Sequence, residues 1–586
     1  MGTFAVRESK GIFTIKDMLK KSADQFQSKV AMQIKRNGVY QQITYLQLFD
    51  RVQALAEKLV DLGLEKNDRV SIVGENRPEW AISYLAIARA GLTIVPLDPQ
   101  LSAEKFRHIM EDAGVKYVFA SEKFVDDLVE IQPRVETLQK VISMDAAHHT
   151  EMVLSMEALE AEGKELVSRG KNMAELRPVE LDDLAVILYT SGTTGTSKGV
   201  MLSHRNIMSN VDSCYQAILF DEKDVFLSVL PLNHVFEATA GFLVPLFSGS
   251  TITYAKSLKS ADIVEGIKET GVTVMNGVPL LYEKMLAGIL RKIKTQPEKV
   301  QKKFGRALGL VRLAKKVNIN AGKLIFKGLR EKAGLHTIRF FVSGGAALSK
   351  ETQIGFAELG MTILQGYGLS ESAPVLTLNP EGRERLGSIG LPIPNVEVEI
   401  YQPDSEGIGE IIARGPNIMV GYYRNPEATA ATLRNGWLHT GDLGYKDKDG
   451  YIYISGRSKN MIVTKAGKNV YPEEVEQELL KSEYIEEVLV LGKLDPETQR
   501  EQVHAIVYPN YENVDEYAKT HNLQPMTQQQ VYDLIKKEIS TYCANLAAYK
   551  RVKDFEIREE EFEKTTTKKI KRFLFQQPQV QVNNGA

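Results

Sequence analysis

The sequence predicts an α/β protein: a large N-terminal domain of α/β layers with an antiparallel β subdomain, followed by a small α+β C-terminal domain. Short apolar runs rich in β-branched residues alternate with helical periods over the first part of the chain. This alternation is typical of parallel strands with helices on both faces. Strands are expected at residues 69–73, 92–96, 117–120, 225–230, 250–254 and 272–275, and a packed helix at 80–90.

The pattern changes after about residue 389. Residues 396–400, 409–414 and 450–454 alternate apolar with polar side chains between turns, which predicts antiparallel strands. A strand–helix–strand pattern begins at Lys459 and indicates a separate small domain. The expected divisions are an N-terminal domain at 1–457, with the β subdomain at 388–455, a C-terminal domain at 458–572 and a disordered tail at 573–586.

Composition narrows the class of protein. At 586 residues the chain is too long for one compact core, and its 43% apolar and 25% charged residues are those of a soluble globular protein. A net charge of −2 gives no general attraction to nucleic acid. Cys214 and Cys543 lack metal-ligand spacing, which favours reduced thiols. Since neither a secretion signal nor an apolar run of about twenty residues is visible, a cytoplasmic location is expected.

A hydroxyl- and glycine-rich loop ending in a lysine follows the apolar run 184–188. Glycine lets the backbone approach a polyanion, hydroxyls and amides donate to phosphate oxygens, and lysine adds positive charge. The loop is not a Walker A motif, because Ser197 replaces its second glycine and Gly199 follows the lysine. The residues expected to hold phosphate groups are Thr190, Ser191, Gly192, Thr193, Thr194, Gly195 and Lys198.

Two further segments with glycine follow predicted strands. Gly344, Gly345 and Ala346 would let a flat ring lie against the backbone, although a plain tight turn explains them equally well. Tyr367, between two glycines, can present its face to a purine, and Glu371 is an oxygen ligand suited to Mg²⁺. The second segment contributes Gln365, Gly366, Tyr367, Gly368, Ser370 and Glu371.

The last two candidates for contact with a nucleotide are charged residues near the end of the β subdomain. Asp442 can accept hydrogen bonds from both ribose hydroxyls. Arg457 could pair with the ribose or the α-phosphate through its planar guanidinium. An ordinary structural ion pair is the alternative interpretation of these two residues.

Taken in order, these segments resemble the motifs of the adenylate-forming superfamily, which includes acyl-CoA synthetases, luciferases and nonribosomal peptide adenylation domains. The resemblance covers roughly residues 10–572. Ser370 stands where the family usually has threonine, and Asn460 where many members have an acid. The first change keeps the hydroxyl, and the second touches no proposed catalytic role.

The resemblance implies roles for several segments. Adenine and the start of the acyl channel would lie at residues 344–346, and Mg²⁺ would be held by Glu371 with Thr193 or Thr194. Lys459 would be the hinge of a mobile C-terminal domain. After rotation, Ala466, Gly467 and Lys468 would form the tunnel for the pantetheine of CoA.

The segment 562–572 resembles the last motif of the family, which carries the catalytic lysine. Aligning its isoleucine places that lysine at Lys569, with Lys568 in the usual glycine position. Lys568 therefore remains a competing candidate. A basic C-terminal tail is the other interpretation of the run.

The acyl side of the reaction is expected near residues 230–237, which are similar to a stretch of long-chain fatty acyl-CoA synthetases. His234 or Phe236, at the head of an apolar helix, could gate the path of a carboxylate, although a packed histidine is as good an interpretation. The apolar residues 238–247 suit the wall of an alkyl channel or an ordinary buried helix.

Residues 290–332 form an unusually basic insert. They contain fourteen Lys and Arg against two Glu, a net charge of +12 in an otherwise neutral chain. Its apolar residues predict a basic amphipathic helix, which would lie on an anionic membrane surface; a solvated basic face is the alternative. These apolar residues are Phe304, Leu308, Leu310, Val311, Leu313 and Val317.

We therefore expect a long-chain fatty acid–CoA ligase that uses ATP, Mg²⁺ and CoA, is cytoplasmic, and associates peripherally with the inner face of the membrane. Catalysis would depend on Lys569, Glu371 and Lys198. Two alternatives remain open. An acyl-acyl carrier protein synthetase would share the adenylation motifs, and a nucleotide- or fatty-acid-binding pseudoenzyme would keep the fold without the reaction.

Overall fold

The computed structural model describes residues 7–191, 197–316, 319–464, 468–494, 501–523, 525–564 and 570–575. Two large mixed sheets and one antiparallel sheet build the N-terminal part of the chain, which confirms the predicted α/β class. The predicted site residues that fall outside the described residues are Gly192, Thr193, Thr194, Gly195, Ala466, Gly467 and Lys569, together with the competing Lys568.

The first sheet has nine strands within the described residues. Its central strands pair in parallel, while antiparallel strands close both edges. The central strands are buried on both faces, which explains their continuous apolar sequences. In spatial order the strands are Leu391–Pro392, Val375–Leu378, Ile363–Gly368, Phe340–Ser343, Val274–Gly277, Val225–Ser228, Thr251–Tyr254, Val30–Arg36 and Val39–Thr44.

The second sheet has eight strands in the same described ranges and a similar design. A run of parallel strands ends in an antiparallel hairpin, to which a short strand from far along the chain is added. In spatial order the strands are Gly421–Tyr422, Ser197–Ser203, Leu184–Ser191, Thr93–Pro96, Arg69–Val73, Val115–Ala120, Lys140–Ser143 and Val153–Ser155.

The third sheet is antiparallel, as the alternating pattern predicts. Its strands alternate buried with exposed side chains because one face covers the core and the other meets solvent. The strands are Glu397–Tyr401, Gly409–Arg414, Leu433–Arg434, Trp437–Lys446 and Ile452–Arg457.

Helices cover the sheets and connect their strands. None of those in the described part of the chain combines the length and the hydropathy needed to cross a bilayer. The α-helices before residue 460 are Ile15–Phe26, Tyr45–Asp61, Pro78–Arg89, Ala103–Ala113, Glu122–Ile131, Met156–Ser168, Met173–Leu176, His204–Ala217, Val244–Ser248, Ser260–Thr270, Pro279–Lys294, Glu298–Lys315, Gly322–Ile325, Lys327–Ala333, Lys350–Glu358 and Pro426–Thr432, and a π-helix spans Glu237–Leu243.

The helix His204–Ala217 is buried along its whole length. Ser203 and Asn206 cap its start reciprocally: the Asn206 amide donates to the Ser203 hydroxyl at 3.2 Å, and the Ser203 amide donates to Asn206 Oδ1 at 2.9 Å. Its apolar residues belong to the main core, and its polar residues hydrogen-bond to surrounding loops. The helix is therefore a central support.

The C-terminal residues have a hydrophobic core of their own. Phe575 packs on Phe562 with ring centroids 5.4 Å apart, so the ordered chain extends past the predicted start of the tail at residue 573. The division of the chain at Arg457 remains a prediction. The elements are strands Ile462–Val463, Asn469–Val470, Ile485–Leu494, Glu501–Pro509 and Asp554–Ile557, and helices Pro472–Leu479, Tyr511–Thr520 and Gln528–Cys543.

Candidate active site

The predicted site residues gather at the carboxyl ends of two neighbouring parallel strands. Phe340–Ser343 ends directly before Gly344, and Ile363–Gly368 carries Tyr367 at its end. Such an edge is where open α/β sheets bind ligands. Gly345 and Ala346 are exposed there, and a Cβ on Gly344 would lie 3.0 Å from the Phe236 ring. The glycine therefore permits the close approach of that ring.

Tyr367, Asp442 and Arg457 form one cluster across two sheets. The Tyr367 hydroxyl donates to Asp442 Oδ2 at 2.7 Å, and Arg457 Nε lies 2.8 Å from Asp442 Oδ1. Asp442 is only 4% exposed and stands directly opposite Arg457 in the strand register. The structure thus contains the ion pair that sequence analysis gave as an alternative. Because each oxygen of the Asp442 carboxylate has a second lone pair, the carboxylate can accept further hydrogen bonds while it is paired with Tyr367 and Arg457.

The electrostatics of this cluster favour fixed protonation states. Burial, followed by the neighbouring Asp442, raises the pKa of Tyr367 well above its ordinary value. The charge of Asp442 likewise raises the pKa of Arg457. Near neutral pH, Tyr367 is therefore a neutral hydrogen-bond donor and Arg457 a cation.

A second cluster joins Glu371, Tyr422 and Lys198. The Tyr422 hydroxyl donates to Glu371 Oε1 at 2.7 Å, and Lys198 Nζ lies 5.0 Å from the centre of the Tyr422 ring. The Glu371 carbonyl accepts from the Met419 amide at 2.9 Å, which fixes the backbone beside this pair. Burial and the Glu371 charge raise the pKa of Tyr422, so its phenol remains protonated.

Tyr422 is not among the residues that the sequence predicts for this site. The strand Gly421–Tyr422 pairs with Ser197–Ser203, and this pairing brings the tyrosine beside the predicted lysine and glutamate. The available signal is a glycine followed by two tyrosines, between an apolar run and a polar turn. That signal cannot say which ring faces Glu371, because the pairing joins segments far apart in the sequence.

The remaining predicted residues near Tyr367 determine how the backbone packs and turns at the end of this strand. Gln365 is buried and accepts a hydrogen bond from Gln353 at 2.7 Å. A Cβ on Gly368 would lie 1.8 Å from the Pro374 carbonyl oxygen, so only glycine fits there. Gly366 pairs with the neighbouring antiparallel strand, and Ser370 begins the turn Ser370–Ser372 that presents Glu371.

The loop predicted to hold phosphates is bracketed by an antiparallel hairpin in which Thr190 pairs with Lys198. The hairpin places Lys198 beside the Glu371 cluster. In the predicted C-terminal domain, Lys459 lies exposed in the turn Ser458–Asn460, and the Lys468 carbonyl accepts from the Thr464 amide at 3.0 Å.

The predicted acyl-gate residues lie at the head of the π-helix Glu237–Leu243. Burial lowers the pKa of His234, so its imidazole is neutral near pH 7. The Phe236 ring reaches Gly344 and therefore the strand edge that is predicted to bind the nucleotide. Further along, Phe242 packs edge-on against Trp80 and Tyr84, which favours an ordinary buried helix over an open channel wall for that part.

Glu237 is a buried ionisable side chain that directly follows the predicted acyl-gate residues. Its Oε1 accepts from the Ser228 hydroxyl at 2.7 Å, while Oε2 has no hydrogen-bond partner among the described residues. A Cβ on Gly241 would lie 2.4 Å from the carboxyl carbon, so the π-helix closes over this group. Burial raises the pKa of Glu237 to about 8. The side chain is therefore largely protonated at neutral pH.

Comparison with known proteins gives a consistent result. The profile described as "AMP-binding enzyme" matches residues 19–423. The chain is 29% identical over 553 residues to fatty acyl-CoA synthetase B of Dictyostelium discoideum, covering 87% of this chain and 79% of that protein. It is 28% identical over 567 residues to a long-chain-fatty-acid–CoA ligase of Bacillus subtilis, covering 89% and 91% of the two chains.

Solved structures show the same fold. ATP-bound MatB from Rhodopseudomonas palustris has a TM-score of 0.74 and 26% identity, over 96% of this chain and 98% of that chain. The anthranilate CoA ligase AuaEII in complex with anthranoyl-AMP has a TM-score of 0.75 and 21% identity, over 96% of each chain. The second likeness supports the fold alone.

Glu237→Gln should reduce the dependence of folding stability on pH. Below pH 4.5 the carboxyl is protonated in the folded and unfolded chains alike. Between pH 4.5 and about 8 the unfolded chain releases its proton first, so raising the pH favours unfolding. The neutral amide has no such proton. The wild-type protein should therefore lose up to several kcal/mol relative to the variant across this window.

Urea unfolding at a series of pH values measures this difference. Glu427→Gln, on the exposed surface of the helix Pro426–Thr432, is the matched control. Parallel stability profiles for wild type and Glu237→Gln would show that Glu237 does not hold a raised pKa.

Proposed function

The chain belongs to the AMP-binding enzyme family, and we propose that its acid substrate is a long-chain fatty acid and its acyl acceptor the thiol of CoA. As a member it is an ATP-dependent, AMP-forming acid–CoA ligase. Relatives named long-chain-fatty-acid–CoA ligase align over most of their lengths and support the choice of acid. The observation that carries the proposed reaction is that one strand end and the turn that follows it supply both Tyr367 of the Asp442 cluster and Glu371 of the second cluster.

The chemical problem explains why a nucleotide is needed. A carboxylate resists attack by a thiol because its carbonyl is deactivated by charge and its oxygen is a poor leaving group. In the proposed reaction, the fatty carboxylate attacks the α-phosphorus of ATP, and pyrophosphate leaves. The resulting acyl-AMP is a mixed anhydride. The CoA thiol then attacks its carbonyl carbon, and AMP leaves with the former carboxylate oxygen.

The Asp442 cluster would hold the nucleoside. Asp442 would accept from the ribose hydroxyls, Arg457 would contact the ribose or α-phosphate, and the Tyr367 ring would lie beside adenine above Gly344 and Gly345. Because Tyr367 and Arg457 are already bonded to Asp442, they are oriented before the nucleotide arrives. Such preorganised donors cost little reorganisation when charge develops.

Glu371 is the proposed protein ligand of Mg²⁺, together with Thr193 or Thr194. One carboxylate oxygen is held by Tyr422, and the other has no partner among the described residues. This donor set fits a hard cation that binds through one or two carboxylates and substrate phosphates. Bound there, Mg²⁺ would offset charge on the phosphates, while Lys198 adds a second positive charge from the hairpin.

Lys569 is proposed to bridge the fatty carboxylate and the α-phosphate during adenylation. Its ammonium would offset the charge that develops on the pentavalent phosphorus. The C-terminal domain would then turn about Lys459, withdraw Lys569 and bring Ala466, Gly467 and Lys468 to the site. Gly467 would leave room for pantetheine.

The proposal includes peripheral association with an anionic membrane surface, because long-chain fatty acids partition into bilayers. The basic insert also favours a second acceptor, an acidic acyl carrier protein. Only the identity of the acceptor separates this alternative from the CoA ligase, since the adenylation step is shared.

Acid-dependent cleavage of ATP tests the substrate class. We expect pyrophosphate release with palmitate or oleate to exceed release with acetate, anthranilate or malonate, since an alkyl chain gains binding energy from every methylene it buries. Product analysis with CoA and with acyl carrier protein then identifies the acceptor. Release that is highest with an aryl or a short acid would contradict the proposed substrate, and absence of release with every acid would contradict the reaction.

Tyr422→Phe should weaken the Glu371 cluster without removing the ring next to Lys198. A hydrogen bond to a charged group contributes about 1.5–3 kcal/mol, so pyrophosphate release should fall about tenfold to a hundredfold at limiting magnesium and ATP. Tyr423→Phe is the matched control, because the Tyr423 hydroxyl makes no hydrogen bond within the described ranges. Equal rates for the two variants would show that the Tyr422 hydroxyl does not support Glu371.

Lys569→Ala should separate the two half-reactions. Adenylation should fall about a hundredfold or more with the loss of a transition-state contact, whereas conversion of supplied acyl-AMP to thioester should persist. Pyrophosphate release and thioester formation are measured separately, with Lys568→Ala as the control. If Lys568→Ala shows the adenylation defect and Lys569→Ala does not, the alignment of this motif is off by one residue.

A further inference from the structure

The basic insert is folded onto the protein body through one of its faces. In the helix Glu298–Lys315, Val311 is buried and Phe304 packs on Phe326 with ring centroids 5.3 Å apart. Arg312 Nε lies 2.6 Å from Glu358 Oε1 on the neighbouring helix. The insert is thus a fixed part of the structure.

A close backbone contact adds to this attachment. A Cβ on Gly322 would lie 2.4 Å from the Glu358 carbonyl oxygen. The backbone at Gly322 therefore packs directly against the end of the helix Lys350–Glu358. Arg330 Nη1 donates to the Leu359 carbonyl at 2.9 Å and to the Gly322 carbonyl at 3.2 Å. The short helices that follow Glu298–Lys315 are therefore held in place as well.

The opposite face of the insert is both apolar and basic. Leu310 and Leu313 are 59% and 62% exposed, and Leu324 is 80% exposed. Soluble proteins seldom leave several large aliphatic side chains this exposed within one short stretch. Lys303, Arg306, Leu310 and Leu313 follow one another at spacings of three, four and three residues, so they form a single line along the helix.

The charges on this face are largely uncompensated. In the parts of the insert that the structure describes, Lys299, Lys303, Arg306, Lys315, Lys316 and Lys323 form no ion pair, whereas Lys302 pairs with Glu298. The positive charge is therefore available to a partner. The partner must offer negative charge and, at the same level, an apolar layer that can accept leucine side chains.

Resting on the membrane association included in the proposed function, we propose that a docking face binds an anionic lipid bilayer; it is formed by Lys299, Lys303, Arg306, Leu310 and Leu313 on the helix Glu298–Lys315, together with the exposed Leu324 of the short helix that follows. Lipid headgroups satisfy the cations, and the acyl layer beneath them receives the leucines. Because the inner face is anchored by the Arg312–Glu358 pair, the helix holds the whole enzyme against the bilayer. An acidic protein would match the charge but leaves the exposed leucines without an apolar counterpart unless it offers a groove.

Flotation with phospholipid vesicles tests the docking face without relying on any enzymatic step. Wild type should float with vesicles of phosphatidylcholine and phosphatidylglycerol, and less with phosphatidylcholine alone. Binding should decrease as salt rises, since exposed charges are screened. The triple variant Lys299→Gln, Lys303→Gln, Arg306→Gln should bind at least about tenfold more weakly, as each basic residue near an anionic surface strengthens binding several-fold.

A second variant isolates the apolar contribution. Leu310→Gln with Leu313→Gln and Leu324→Gln should also lose vesicle binding, while unfolding temperature and ATP cleavage with a soluble acid stay unchanged, since these side chains are exposed. The controls are Lys140→Gln with Lys164→Gln and Lys536→Gln for charge, and Leu176→Gln with Leu219→Gln and Met152→Gln for exposed apolar residues.

Each outcome of the vesicle experiments either supports or overturns the docking face. Loss of binding in both insert variants, with both controls unchanged, supports the docking face. Equal binding of wild type to neutral and anionic vesicles, or equal loss in the control variants, overturns it. Selective capture of an acidic acyl carrier protein, with no binding to vesicles, also overturns it and identifies the other kind of partner.

Discussion

One buried helix, His204–Ala217, sets the positions of the loops that carry the candidate site. Its polar side chains lie between the large sheets, where an unpaired polar group would cost roughly 1–3 kcal/mol. Asn206 avoids this cost by donating to two carbonyls of segment 416–418 at 2.9 and 2.7 Å, and Asn210 donates to the Val375 carbonyl at 2.7 Å. The loops on either side of the carboxylate–tyrosine pair are therefore fixed to the same support. A change in this helix would displace both loops together.

Because these loops are fixed, the site can hold buried charged groups at the edge of the sheet, where water is partly excluded. A buried carboxylate is costly unless it is paired and hydrogen-bonded, and Asp442 satisfies both conditions through Arg457 and Tyr367. The strand register places Asp442 opposite Arg457, while the tyrosine comes from the other sheet. The cluster thus joins the antiparallel subdomain to the α/β core. The contacts that stabilise this cluster also fix its orientation toward a ligand.

Local patterns predicted much of the fold and part of the site. Parallel strands such as Arg69–Val73 and the antiparallel strands near Gly409–Arg414 follow from apolar runs and alternation, which depend on neighbours in sequence. Glu371 and Asp442 were predicted as site residues because oxygen ligands and glycine-bounded strands have local signatures; the structure places each in a hydrogen-bonded cluster, and their roles remain predictions. Tyr422 was not identified, because its position depends on a strand pairing between distant segments. Exposure of leucines on the insert likewise depends on which face meets the body, and sequence alone leaves that face undetermined.

Arg457 belongs both to the Asp442 cluster and to the strand that leads into the predicted C-terminal domain. The next residue, Ser458, donates to the Gly441 carbonyl at 3.0 Å, beside Asp442. Two residues further on, Asn460 donates to Glu473 on the helix Pro472–Leu479 at 2.7 Å. A nucleotide that shares Asp442 with Arg457 would therefore contact the strand that leads directly into this segment. In the proposed reaction, the nucleotide contact at Arg457 and the hinge at Lys459 would be two residues apart in the chain, which would couple nucleotide binding to the position of the C-terminal domain.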